Sequence, residues 1–179
     1  MKILKISLGS IGVLIALLLI IPIFTQKKIE VERVITINKP KEQVFEYVKL
    51  LKNQIHYSSS AKKDPNTKMT YTGTDGTVGF IAKWTSEIED VSVGEQKIKK
   101  IIDGQRIDFE LRFIEPYQST HSCYMSTDAI TKNSTKVKWG IQGDMPYPMN
   151  LMLVFFSDDD MYGKHFEEGL VNLKNILEK

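Results

Sequence analysis

The sequence predicts an α+β domain: an antiparallel sheet followed by one long C-terminal helix, with an apolar helix ahead of both. Three observations carry this. Residues 6–24, ISLGSIGVLIALLLIIPIF, contain no charged group. Further on, apolar residues alternate at period two, most clearly Ile107, Phe109, Leu111 and Phe113, with Asp108, Glu110 and Arg112 between them. After Gly143 the period becomes 3.6, and Phe166, Leu170, Leu173 and Leu177 fall on one side of a terminal helix.

The first element reads as a membrane anchor. About 19 helical residues rise roughly 28 Å, close to the hydrocarbon thickness of a bilayer. A cleaved signal peptide would have a shorter apolar core and a small-residue cleavage site. The exit here is Pro22-Ile23-Phe24-Thr25-Gln26-Lys27, and no cysteine stands there for a lipid. The expected division is 1–27 as anchor and 28–179 as folded domain. Lys2 and Lys5 precede the span, while Lys27, Lys28 and Arg33 follow it, so charge alone does not orient it. Long C-terminal domains cross largely regardless of charge, which places the domain on the extracytoplasmic side of a single-pass protein. The one cysteine, Cys123, excludes an internal disulfide.

Lys28 to Asn38 reads as a strand with Ile29, Val31, Ile35 and Ile37 on one face. Pro40 suits the first turn of a helix to Leu51, whose apolar stripe is Val44, Phe45, Val48 and Leu51. Residues 53–66 are polar, a loop or a short second helix. Asp75-Gly76 signals a hairpin, with strands expected over Val78–Thr85 and Glu95–Ile102. Asp103-Gly104 turns the chain into the alternating strand, Pro116-Tyr117 breaks it, and Ser119–Ile130 and Thr135–Gly143 complete a meander. The order is strand, helix, about six strands, long helix.

Met145 to Phe156, MPYPMNLMLVFF, is apolar but too short for a second span: as a helix it would cover about 18 Å. It is core or the wall of a pocket, with Met149, Met152, Leu153 and Phe156 on one side of a short helix. Ser157 before Asp158, Asp159 and Asp160 suits a helix cap; consecutive helical carboxylates point apart and do not converge on an ion.

Charge and motifs exclude several classes. Without Lys2 and Lys5 the domain carries 22 basic and 22 acidic residues, lacking the basic footprint of a nucleic-acid binder. Lys97, Lys99 and Lys100 read as the solvated face of a strand. His56, His121 and His165 have no metal-ligand spacing. His121 and Cys123 share a strand face, but about 7 Å separates such residues and no third group activates the thiol. Gly73, Gly76 and Gly79 lie between strands rather than before a helix, so they mark a hairpin and not a phosphate loop.

The segment VERVITINKPKEQVFEYVKLL, with Ile37, Pro40, Val44 and Phe45, resembles the opening of the START-like, or SRPBCC, superfamily, particularly its polyketide cyclase/dehydrase and lipid-transport branch. Asp64-Pro65, the glycines before Trp84, NSTKVKW ending at Trp139, and GKHFEEGLVNLK follow in the family's order, over about residues 30–178. The tryptophans usual after the first helix are replaced by Ile55, Tyr57 and Ser60. The resemblance implies a helix-grip fold, in which a curved antiparallel sheet wraps the C-terminal helix around an apolar cavity. Cavity residues expected on this basis are Trp84, Phe109, Phe113, Trp139, Met149, Met152, Phe156 and Phe166. The expected function is membrane-tethered binding of a hydrophobic small molecule or lipid, with no cofactor, metal or nucleic acid and no assigned catalytic residue. Two alternatives stand beside it. One is a cyclase/dehydratase-type enzyme, with Tyr124, His121 or Asp128 as candidates, although alternation sets His121 opposite the other two. The other is a membrane-proximal protein-interaction module, which requires a filled interior.

Overall fold

The computed structural model describes residues 2–88, 91–115 and 118–179, with side chains from Ser10 onward. Its elements are α1 (Lys2–Phe24), β1 (Lys28–Ile37), α2 (Lys41–Lys49), a 3-10 turn (Leu51–Asn53), α3 (Gln54–Tyr57), α4 (Ser59–Lys63), β2 (Lys68–Thr72), β3 (Ile81–Thr85), β4 (Val93–Ile102), β5 (Arg106–Glu115), β6 (Ser119–Thr131), β7 (Ser134–Asp144), a 3-10 turn (Met149–Leu151), α5 (Met152–Phe155), a π-helical turn (Asp159–Gly163) and α6 (Lys164–Leu177). Seven strands form one antiparallel sheet in the order β1-β7-β6-β5-β4-β3-β2. β2 to β7 are a meander, and β1 closes beside the last strand. A seven-stranded antiparallel sheet with a terminal helix is the helix-grip arrangement.

Period-two patterning sets which face meets the helix. On β1, Ile29, Val31 and Ile37 are buried while Glu30, Glu32 and Val34 are exposed. On β6, His121, Cys123, Met125 and Thr127 point inward, and Ser122 and Asp128 outward. β4 bulges between Ile98 and Lys100, which leaves Lys99 and Lys100 both in solvent, with Lys99 3.1 Å from Glu110. On α6, Phe166, Leu170, Leu173 and Leu177 are buried, as their spacing predicts. They join Val44, Phe45 and Val48 of α2 in one core.

Several boundaries differ from expectation. Pro40 precedes α2 as its N-cap, its carbonyl accepting from Val44 N at 3.2 Å. Residues 53–66 fold into the short helices α3 and α4. β3 starts at Ile81, not Val78. The connection before it uses Gly73, Gly76 and Gly79 at φ of 90°, 74° and 94°, a conformation closed to most residues, and Val78 lies exposed within it. The Asp75 carboxylate in that connection accepts from the N–H groups of Leu51, Lys52 and Gly76, tying it to the end of α2. The break expected at Pro116-Tyr117 lies outside the described residues.

The N-terminal helix needs separate treatment. α1 covers 23 residues. Among the described residues no helix is long and apolar enough to cross a membrane. The expected span begins at Ile6 and so extends outside the described side chains. Of its residues from Ser10 to Phe24, only Pro22 is buried, and Phe24 is 85% exposed. Its end is held by Asn150, which is fully buried and donates from Nδ2 to the carbonyls of Pro22 at 2.6 Å and Thr25 at 3.4 Å.

Candidate functional site

α6 lies mainly against β1 and β7, with α3 and α4 on its other flank. The inward faces of β3, β4 and β5 therefore face a space that the helix does not fill. This hollow has a volume of about 350 Å³, within the usual range for a small-molecule site. Its sheet wall includes Ala82, Trp84, Gln96, Leu111, Phe113, Cys123 and Trp139. Met161, Tyr162, His165 and Phe166 come from the π turn and α6, and Ile55, Ser58, Ser60 and Ala61 from α3, α4 and their junction. Ile55 and Pro65, both exposed, mark its mouth.

The tryptophans are set by glycines behind them. A Cβ on Gly94 would stand 2.4 Å from Trp84 Cζ2, and one on Gly169 would stand 2.7 Å from Trp139 Cζ3. Each ring thus lies flat against backbone. Trp139 stacks on Phe166 at 4.9 Å between centroids and meets the edge of Tyr57 at 5.7 Å. Trp84 donates from Nε1 to the Val91 carbonyl at 3.0 Å.

The polar groups of the wall fall into two sets. His165 bridges two hydroxyls, Ser59 Oγ at Nδ1 and Ser60 Oγ at Nε2, the latter at 3.0 Å. Burial, and then the Lys63 charge, hold its pKa below the ordinary histidine value. Asp64 accepts from Ser86 Oγ and Asn66 N–H, which keep its carboxyl below the usual range. Those groups are partnered. Gln96, on β4, is not: among the described residues its amide makes no hydrogen bond, though the residue is only 5% exposed. Burial pushes the Tyr162 hydroxyl up to about 12 and the Cys123 thiol further, so neither ionises near neutrality.

Four of the eight residues expected at the cavity are on its wall: Trp84, Phe113, Trp139 and Phe166. Phe109 is 2% exposed and belongs to the solid core under α2 and α6. Met149, Met152 and Phe156 lie elsewhere. Asn150 pins their segment to the end of α1, so its apolar side chains turn outward: Met152, Phe155 and Phe156 are 38%, 67% and 53% exposed. The approach to α6 is thus neither cavity wall nor lid.

The three aspartates beyond it do not converge. Asp158 accepts from Glu30 N–H, Asp159 pairs with Arg33, and Asp160 forms a reciprocal cap with Ser157: Ser157 N–H donates to Asp160 Oδ2 at 3.0 Å and Asp160 N–H to Ser157 Oγ at 3.1 Å. Of the catalytic candidates, Asp128 is exposed. Tyr124 is on the outer face beside Glu32, under the Arg106 guanidinium at 3.8 Å. His121 is inward but behind Phe113 and Tyr162, with Nδ1 unpartnered over Gly143.

No protein-family model matches the chain, and no curated protein matches it. Solved structures do. Norcoclaurine synthase from Thalictrum flavum, in complex with dopamine and hydroxybenzaldehyde, aligns over 88% of this chain and 91% of its own, with TM-score 0.62 and 13% identity. Ara h 8.0201 aligns over 85% and 99%, with TM-score 0.56 and 17% identity. The Aha1 dimer protein from Colwellia psychrerythraea gives 84%, 96%, 0.56 and 14%. The chain has the helix-grip, Bet v 1-like fold. At these identities the likeness is one of fold alone.

Proposed function

We propose that the chain binds a hydrophobic small molecule or lipid in the hollow between sheet and α6, as a non-catalytic, membrane-tethered carrier or sensor of the lipid-transport type. The observation that carries this reading is the 350 Å³ space walled by Trp84, Trp139, Phe113 and Phe166. An open interior also argues against a pure protein-interaction module, which has no use for one. Native mass spectrometry of the detergent-solubilised full chain tests the proposal. A co-purifying or added apolar molecule is expected on the protein, and its repeated absence overturns the reading.

The tether is residues 6–24, with the domain on the extracytoplasmic side. Its support is the uncharged run itself and the exposed apolar surface that Asn150 fastens beside its exit, Phe24 together with Phe155 and Phe156. An amphipathic patch at that level fits the bilayer interface. Cys123 is buried with its thiol held protonated, so a fluorophore can be directed to introduced cysteines. With the full chain in phosphatidylcholine–phosphatidylglycerol vesicles, nitroxide lipids are expected to quench labels at Leu14→Cys and Phe155→Cys. A label at Asp128→Cys should be spared, near the far end of β1, about 30 Å along the strand. Lack of quenching at position 14 refutes the tether; quenching at 14 without 155 refutes only the interfacial contact.

One observation favours a second reading, a cyclase/dehydratase-type enzyme: His165, neutral and hydrogen-bonded to Ser60 Oγ, is a proton acceptor on the cavity wall. Turnover that His165→Gln abolishes without loss of ligand binding would establish it.

A further inference from the structure

The row of residues across the sheet at the cavity wall is Ala82, Gln96 and Leu111, paired strand to strand through β3, β4 and β5 and continued beyond the wall by His121 of β6. Gln96 is flanked on both ladders by apolar side chains. The residue is 5% exposed and lines the hollow, and its amide, a donor and an acceptor together, bonds to nothing among the described residues. An amide without a protein partner is completed by whatever occupies the space it faces, and displacing that occupant with a group that cannot bond forfeits the hydrogen bond. The Tyr162 hydroxyl, also on the wall, makes no hydrogen bond among the described residues either. By contrast, His165 and Asp64 have their polar atoms engaged by Ser59, Ser60, Ser86 and Asn66. Among the described residues no lysine or arginine lines the hollow to neutralise an anion.

We infer that the hollow selects uncharged ligands carrying a hydroxyl or carbonyl group, which the Gln96 amide reads with help from the Tyr162 hydroxyl. This rests on the proposed binding function and specifies its ligand class. A carboxylate would enter without a counter-charge and beside Asp64. A plain hydrocarbon would leave the amide unpaired. A hydroxyl or carbonyl completes it, and a site built around such a bond rejects analogues that lack it.

The chain's two tryptophans both line the hollow, so heavy-atom quenching of their fluorescence reports occupancy. The probes are ω-bromo-octanol, bromo-octane, ω-bromo-octanoate and ω-bromo-octylamine, titrated into the full chain in one detergent. Detergent partitioning of each probe cancels when variants are compared. For the wild-type protein the alcohol is expected to bind more tightly than the carboxylate and the amine. Gln96→Leu should weaken the alcohol roughly three- to tenfold, the scale of one net hydrogen bond, and leave bromo-octane unchanged or tighter. Gln96→Met, close in shape to glutamine, should behave like Gln96→Leu and serves if the branched side chain disturbs folding. Tyr162→Phe should have a smaller effect of the same sign. Equal affinity for alcohol and carboxylate, tighter binding of the amine, or an alcohol affinity indifferent to both Gln96 variants overturns the inference while leaving the cavity reading intact. If none of the four probes quenches the wild-type protein, the binding function itself fails.

Discussion

Filling the hollow should make the protein more stable, and the sign of that effect separates an empty cavity from a packed core. Ala82 is 4% exposed, points inward from β3 and lines the space. Ala82→Leu adds three carbons there. At about 0.8 kcal/mol each, burying them contributes roughly 2 kcal/mol. Ordering the leucine side chain takes back about 0.5–1 kcal/mol. The expected result is a gain of about 1–2 kcal/mol, read as a higher urea midpoint with unchanged slope in detergent-solubilised protein. Bromo-octane should quench the tryptophans less well in the same variant. In a solid core the same change forces neighbours off their rotamers and costs about 1–3 kcal/mol. A loss of more than about 1 kcal/mol would therefore refute the claim that sheet and helix enclose free volume.

Other outcomes follow from the same contacts. Leu173→Ala removes a fully buried side chain of α6 and should destabilise by about 2–5 kcal/mol in the same denaturation experiment. Ser157→Ala breaks the reciprocal cap with Asp160 and should cost about 0.5–2 kcal/mol. Asn150→Ala withdraws the donor held by Pro22 and Thr25; hydrogen exchange should then quicken at residues 22–27 and 149–152 while the sheet is unaffected. For pH, burial depresses both His121 and His165 in the folded state. The unfolded chain then binds more protons, so stability is full above the unfolded histidine value of about 6.5 and falls as pH drops through it. His165→Asn should flatten that slope in urea midpoints measured between pH 5 and 7.5; an unaltered slope would show that His165 does not contribute.

The sheet and the gripping helix were legible because each presents one face to a core, and that constraint writes a period into the chain. Ile107, Phe109, Leu111 and Phe113 could hardly be read otherwise, nor could Phe166, Leu170, Leu173 and Leu177. The cavity was only half legible. Trp84 and Trp139 were visible as large rings on strands, but α3 and α4 were hidden in a polar stretch. Short helices of four and five residues carry no full hydrophobic period. Gln96 shares parity with Ile98 and could have been placed inward on that ground. A lone polar residue carries no hydrophobic signal of its own, and only its missing partner singles it out. The segment from Met145 to Phe156 misled for the opposite reason. Apolar composition says that a surface avoids water, not whether protein or lipid is to cover it, and Asn150 directs this one away from the core.

The glycines at 94 and 169 have a consequence for how the binding space can change. Each allows an indole to recline against main chain, so the room in front of Trp84 and Trp139 is fixed by atoms missing behind them. A methyl group at position 169 would stand 2.7 Å from the Trp139 ring and displace it, whereas one at position 94 would press on the Arg112 carbonyl at 2.6 Å as well as on Trp84, so that strand and ring must move together. The size of molecule accepted is therefore adjustable from the dry side of the wall, by residues that no ligand would ever touch.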